Sequence, residues 1–436
     1  MVADKKVLLT TVPRMPEIYW DNFRRDTQRK LFTYSFPRIN SFGLRFIKYN
    51  IPNIDILEYP SWDEYKSRLK EGYDIVGYSF YLNETDIVKN MVNTAKNMSK
   101  GTELWAGNYG ALTPSISHLF DEIFIGYAEL EVAKKLGLNL NTIKHPPLVW
   151  YVQTSFGLKI NPLGILFTTR GCPLKCDFCQ TPSFCKKTKK IPLDSIKEVI
   201  DKYNEMGIRE VIIYDENFSL FPNHTKKVIE LLYSYDIHWY CMTTIKHLSD
   251  NWKEWYEMGL LGAFIGIESF SQDILGSMNK VKIDASETIE FIKEIRNYLY
   301  LLGFFIIGFE KDTKKSVKEE VNKLKNLQID HTQIRILTPL PETVLWEEIE
   351  SKYGIFDKDW SKFDTMHLVW NHPNFTPEEL RKLLIESLLK CHPRRHLLRT
   401  LLKLAKRHMR EKGFFHSGIY LFKNMLLANT FDYSSL

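Results

Sequence analysis

Three cysteines, Cys172, Cys176 and Cys179, stand at C-x3-C-x2-C spacing in the segment RGCPLKCDFCQTPSFC, residues 170–185. Cysteine thiolates are the usual protein ligands of iron–sulfur clusters. Three thiolates on a four-iron cluster leave one iron open to an outside ligand. Gly171 and Pro173 suit a tight loop around such a centre, and Phe178, beside the last thiol, would shield it from water. A zinc knuckle and three unrelated thiols are the alternatives. Zinc normally takes four ligands in paired C-x2-C spacing, and Cys185, six residues beyond Cys179, is the thiol at hand for a fourth. Of six cysteines none precedes position 172 and four fall within fourteen residues. A disulfide framework would scatter them, so the clustering points to a metal. Cys185 reads as a bystander, Cys241 and Cys391 as buried thiols.

The elements that would carry this loop follow from the hydrophobic pattern. Strand candidates at 5–13, 55–60, 74–82, 102–107 and 122–127 alternate with helices, the clearest over 84–99 with Asn83 or Thr85 as its cap. Strands separated by helices imply a parallel, doubly wound sheet with its ligand crevice beyond the carboxyl ends of the strands. No G-x-G-x-x-G follows the first strand, which removes support for a dinucleotide. Residues 140–162, with Pro146, Pro147 and Pro162, read as a linker. A second alternation has strands at 164–170, 210–216, 238–245, 262–269, 302–309 and 333–338. Helices fall at 194–206, 224–235, 250–258, 284–299 and 314–327. Six repeats suit a partial (β/α) barrel, whose chemistry sits at the carboxyl strand ends. The expected organisation is α/β: a Rossmann-like domain over 1–140, a six-stranded barrel over 155–345 and a helical region over 346–436.

Further motifs lie at those strand ends. Tyr214, Asp215, Glu216 and Asn217 end the second strand, Lys246 follows the third, Gly266-Ile267-Glu268-Ser269 ends the fourth, GFFIIG (Gly303 to Gly308, including Ile306) forms the fifth, and TPLPET (Thr338 to Thr343) follows the sixth. From position alone each could be structural: a strand-end glycine can serve a turn, Asp215 and Glu216 can cap a helix, and Glu268 can be a paired carboxylate. In this order behind C-x3-C-x2-C they resemble the radical S-adenosylmethionine (SAM) superfamily. The resemblance implies a 4Fe–4S cluster on Cys172, Cys176 and Cys179, and reductive cleavage of SAM to a 5′-deoxyadenosyl radical. It also implies a SAM amino group held at Tyr214, Asp215 and Glu216. The ribose would lie on Gly266, Glu268 and Ser269, with adenine against Gly303 and Ile306 and a further contact at Thr338. Lys246 stands where the family often has Arg and would pair the SAM carboxylate. Glu342 stands where Gly is usual.

The amino-terminal phrases DIVGYSFYL, ELWAGNYG and IFIGYAE resemble the cobalamin-binding domain that precedes some of these barrels, in a hopanoid-methylase-like layout. The resemblance implies cobalamin. The cobalt-ligating D-x-H-x-x-G is missing, Gly107-Asn108 replaces Gly-Gly, and Gly126-Tyr127-Ala128-Glu129 replaces G-E-x-E. No cysteine precedes 172 and only Cys391 follows the barrel, which leaves one cluster. The layout implies a methyltransferase acting on an unactivated carbon. The alternatives are radical coupling, cyclisation or rearrangement, with or without cobalamin and with a lipid among the candidate substrates, and a non-enzymatic metal-binding module.

Composition bounds the rest. In 436 residues, 44% are hydrophobic and 26% charged, ordinary for a soluble globular chain. A formal charge of +6 does not argue for nucleic acid. No run of 18 apolar residues or signal peptide is evident, so a cytoplasmic protein without a spanning helix is expected. The lysines of 186–190 would steer an acidic flavodoxin or ferredoxin, or form a solvated loop. Two helices are expected over 378–413, broken near Pro393. Their basic residues, among them Arg394, Arg395, Arg399, Lys403, Lys406, Arg407 and Arg410, would meet an anionic lipid surface or form a solvated face.

Overall fold

The computed structural model of the chain describes residues 5–13, 40–99, 101–153, 159–280, 284–392, 399 and 403. The first sheet has β1 (Val7–Thr11), β2 (Ile54–Leu57), β3 (Ile75–Ser79), β4 (Glu103–Gly107) and β5 (Glu122–Ile123), all parallel in the order 2-1-3-4-5. This is the doubly wound topology expected from the alternation, with its switch point between β1 and β3. Helix Thr85–Met98 buries Val88, Met91, Val92 and Ala95, a stripe at helical spacing. Neither Asn83 nor Thr85 caps it. A 3-10 turn, Leu82–Glu84, leads in, Glu84 holds the cap position, and the Thr85 hydroxyl bonds the Leu82 carbonyl at 2.6 Å.

The second sheet has β6 (Leu148–Gln153), β7 (Lys159–Leu166), β10 (Glu210–Ile213), β11 (His238–Thr243), β12 (Leu260–Glu268), β13 (Tyr300–Ile307) and β14 (His331–Ile336) in the order 14-13-12-11-10-7-6. Six strands are parallel, as the six repeats imply, and β6 pairs antiparallel with β7. The prolines of 140–162 therefore do not make the whole stretch a linker. Residues 148–153, LVWYVQ, are β-branched and aromatic, which suits a strand. Ahead of β6, the ring of fully buried His145 accepts from Phe167 N–H at 2.8 Å, and burial pushes its pKa down to about 3. That neutral ring ties the connection to the barrel.

The helices between barrel strands cover the sheet with apolar stripes such as Ile196, Val199, Ile200 and Tyr203 on Leu193–Glu205. Phe218, Trp239 and Trp255 pack with ring centroids 5.3–5.7 Å apart beneath the β10 and β11 ends. A two-stranded hairpin, β8 (Thr169–Arg170) with β9 (Lys189–Lys190), brackets the cysteine loop. Of the tail, helix Pro377–Cys391 is described and lies against β14 and Lys314–Leu327. The second expected helix falls outside the described residues except Arg399 and Lys403. Lys403 pairs with Asp330 and Arg399 bonds Asn297 at 2.9 Å, so these two cations dock on the barrel. Among the described residues no helix is long and apolar enough to cross a membrane.

Candidate active site

The cysteine loop leaves β8 through Gly171, whose φ of +80° lies in the left-handed region. A Cβ there would stand 2.8 Å from Cys185 Sγ, so the turn requires glycine. Backbone bonds then hold the loop from three sides. Asp177 N–H donates to the Met278 carbonyl at 3.2 Å, and Leu345 N–H donates to the Asp177 carbonyl at 3.0 Å. The Asn279 amide donates to the Lys175 carbonyl at 3.0 Å. Gln180 donates to the Pro341 carbonyl at 2.9 Å and the Ser183 hydroxyl to the Glu342 carbonyl at 2.5 Å. Glu342 has φ +61°, the conformation that makes glycine usual at this place in the TPLPET segment.

Cys172, Cys176 and Cys179 are all free and half-buried. Burial raises the Cys172 pKa and pushes that of Cys176 up to about 11. Charge on Cys179 adds to both, and Lys280 opposes the shift at Cys176. The three thiols lie within eight residues of one loop, and a metal centre is what neutralises neighbouring thiolates. Cys185 stands outside the set. Its thiol bonds the Lys187 carbonyl at 3.3 Å, and its charged neighbours are Glu216, Lys189 and Arg170. Among the described residues no three His, Cys, Asp or Glu side chains form a group for a single metal ion. The donor set, three thiols with no fourth, fits a cluster with one open iron.

The β10 end positions this loop. Asp215 is fully buried and accepts from Thr168 N–H at 2.7 Å, Thr169 N–H at 3.0 Å, the Thr169 hydroxyl at 2.8 Å and the Thr168 hydroxyl. Burial pushes its pKa up to about 7 against those four bonds. With no accessible surface and its oxygens engaged, Asp215 fixes the chain just before Cys172. Glu216 accepts from Gly171 N–H at 3.0 Å and from the Tyr127 hydroxyl, tying the loop to the first domain. Tyr214 packs its ring 5.7–5.9 Å from Phe42, Trp150 and Phe167.

Across the mouth, β12 ends on Glu268 with φ +60° at a register shift against β13. Such strained positions are often found at functional sites. One Glu268 oxygen accepts from Lys280 at 2.6 Å, and the same ammonium reaches the Gly266 carbonyl at 2.9 Å. Both side chains are nearly buried, at 11% and 16% exposure. The other Glu268 oxygen has no partner among the described residues. Lys280 therefore lies between Cys176 and Glu268, on the segment bonded to the loop through Met278 and Asn279. Sequence reasoning missed it: nothing in MNKVKID separates Lys280 from Lys282. Lys246, the cation singled out there, turns to Asp250 along its own helix at 2.7 Å, with both half exposed. Ser269 is buried, and its hydroxyl donates to Glu320 at 3.2 Å. Gly303 packs against Ile267, Ile306 is part-exposed, and the Thr338 hydroxyl donates to the Ile336 carbonyl at 3.1 Å.

Residues 166–324 match the model of the radical SAM superfamily. The barrel is a radical SAM domain. An uncharacterized methyltransferase of Pyrococcus horikoshii is 30% identical over 246 residues, 54% of this chain and 53% of that protein. The bacteriochlorophyllide d C-12(1)-methyltransferase of Chlorobaculum tepidum is 26% identical over 297 residues, 65% of this chain and 62% of that protein. The chain thus matches over little more than half the length of these relatives. The radical SAM methyltransferase TsrM of Kitasatospora setae, solved with cobalamin and a [4Fe-4S] cluster bound, covers 97% of this chain and 98% of its own at TM-score 0.64 and 11% identity. At that identity the likeness concerns the fold, which extends over both the amino-terminal sheet and the radical SAM domain.

Proposed function

We propose that this radical SAM domain works as a methyltransferase on an unactivated carbon of a small-molecule or lipid substrate, with a 4Fe–4S cluster on Cys172, Cys176 and Cys179 and a cobalamin held by the amino-terminal domain. The observation that carries the reading is that the loop bearing the three thiols is bonded to the segment that carries Lys280, beside the Glu268–Lys280 pair at one mouth of the barrel. A bound cluster would supply the electron that breaks a carbon–sulfur bond of SAM, and a bound cobalamin would supply the methyl group. The chain's part is to bind and orient. The open Glu268 oxygen accepts from ribose hydroxyls. Lys280 pairs the methionine carboxylate beside Cys176. Gly303 and Ile306 flank the adenine, and Asp215 and Glu216 hold the loop.

The cobalamin proposal rests on the carboxyl edge of the first sheet, at Ser79, Gly107 and Gly126, which faces the cysteine loop. Gly126 lies against the Phe184 carbonyl and Tyr127 reaches Glu216. Among the described residues no histidine is offered there. His145 has both ring nitrogens engaged, and His118 lies by a 350 Å³ hollow with Lys96, Thr102 and Leu104, toward the amino ends of the strands. These residues fit a cobalamin without a protein ligand to cobalt. One observation favours a second reading, radical carbon–carbon chemistry without cobalamin: Tyr109 stacks on Phe184 at 4.1 Å and packs the two domains directly together.

Anaerobic purification followed by iron, sulfide and cobalt analysis, with assays for deoxyadenosine and S-adenosylhomocysteine, separates these. Four irons, cobalt and both products support the methyltransferase. Deoxyadenosine alone without cobalt supports the second reading, and a colourless zinc protein ends both. An electron donor of flavodoxin or ferredoxin type and a cytoplasmic location belong to the same proposal.

Lys280→Met is expected to weaken SAM about 10- to 100-fold, the range for losing a hydrogen bond to a charged group. Iron content should stay unchanged. Equilibrium binding checks this, with 5′-methylthioadenosine, which lacks the carboxylate, expected to bind as to the wild type.

A further inference from the structure

Four lysines in five residues, Lys186, Lys187, Lys189 and Lys190, are exposed around β9. None has a carboxylate partner among the described residues. Several other surface lysines are paired, as in Lys197–Asp201 at 2.9 Å, Lys246–Asp250 at 2.7 Å and Lys293–Glu290 at 2.7 Å, and what sets this run apart is four unpaired lysines together beside the cysteine loop. The nearby acids are turned inward: Glu216 holds Gly171 and Tyr127, and Glu129 holds Arg170. Lys190 and Lys227 both bear on His224, so the positive field continues onto helix Pro222–Ser234. The strand is joined to the chemistry. Lys190 pairs with Thr169 and Lys189 with Arg170, two residues before Cys172. Even a fully extended chain would span no more than about 7 Å over that stretch.

We infer that the β8–β9 hairpin is the docking surface for a small acidic electron-transfer protein that reduces the cluster. This rests on the cluster assignment above. The step is a single electron passing from the donor's redox centre into the cluster, so the donor is oxidised by one and the cluster reduced by one. The uncompensated charge raises the encounter rate and aims the donor at the root of the cysteine loop.

Lysines on an edge strand also block pairing with other chains. Charge of either sign does that, so charge reversal separates the two roles. The experiment follows cluster bleaching in stopped flow with anaerobic holoprotein. Wild type is compared with K186E/K187E/K189E/K190E and with K186E/K187E, which leaves β9 untouched. Reduced flavodoxin is the donor, and photoreduced deazaflavin is the uncharged reference. The fourfold variant is expected to react about tenfold or more slowly with flavodoxin at low salt, and the pair by an intermediate factor. The differences should shrink as salt screens the charges, while iron content and deazaflavin rates hold. Equal flavodoxin rates in wild type and variants at low salt would overturn the docking surface. A wild type with no iron that deazaflavin can reduce would instead overturn the cluster assignment.

Discussion

Cys176→Ala is expected to give a folded protein that retains no cluster iron and forms no deoxyadenosine from SAM. The loop's shape does not depend on this side chain, because bonds between the Asp177 backbone and Met278 and Leu345, and from the Asn279 side-chain amide to the Lys175 carbonyl, hold it. What is lost is one of three thiols whose charges act on one another. Two thiolates leave half of a four-iron cluster without protein ligands. Cys185→Ala and Cys391→Ala are the controls. Cys185 is set aside against Gly171, and Cys391 is buried in the helix Pro377–Cys391. Both variants should keep full iron. Colorimetric iron and sulfide per chain, with circular dichroism for the fold, decide the matter.

Arg170→Met is expected to cost roughly 3–5 kcal/mol of stability, the range for removing one partner of a buried ion pair. Arg170 and Glu129 are 6% and 3% exposed and meet in a two-point contact of 2.6 and 2.7 Å. The guanidinium lies 4.3 Å from the ring centres of both Phe46 and Tyr127. Without it the Glu129 carboxylate remains buried, eased only in part by its place at the start of helix Glu129–Lys135. The cost is a large part of the 5–15 kcal/mol that is typical of a folded domain. Arg170→Met combined with Glu129→Leu should recover most of it, because no charge is then left unpaired. Urea unfolding of the three proteins measures this. Equal midpoints for the single and double variants would mean that the unpaired Glu129 carboxylate is not the source of the loss.

How much of this was legible follows from where each signal lies along the chain. The six barrel strands announce themselves by apolar runs between helical stripes, and the thiol triplet by its spacing. Strand β6 was hidden by the prolines beside it, although Val149, Trp150, Tyr151 and Val152 favour a strand. The Gly126-Tyr127-Ala128-Glu129 phrase was visible as a departure from a motif. Its meaning was not, because Arg170 lies 41 positions away and only the fold brings the charges together. The same holds for cations at the mouth. Lys246 sits at a strand end, where position invites a role, yet it is closer to a carboxylate on its own helix. Lys280 follows the strand by twelve residues and returns to Glu268 through a turn whose geometry depends on tertiary contacts. For Asp215 and Glu216 the position at a strand end suggests a helix cap, and the family resemblance implies a ligand contact. Hydrogen bonding decides their part, and four donors around one carboxylate are invisible in sequence.

The most direct test of the central claim is electron paramagnetic resonance of the anaerobically reconstituted, reduced protein, recorded with and without saturating SAM. The account predicts the signal of a one-electron-reduced four-iron cluster, with a spectrum that changes when SAM occupies the open iron. A protein that takes up no iron, or a cluster signal that SAM leaves unmoved, would contradict it.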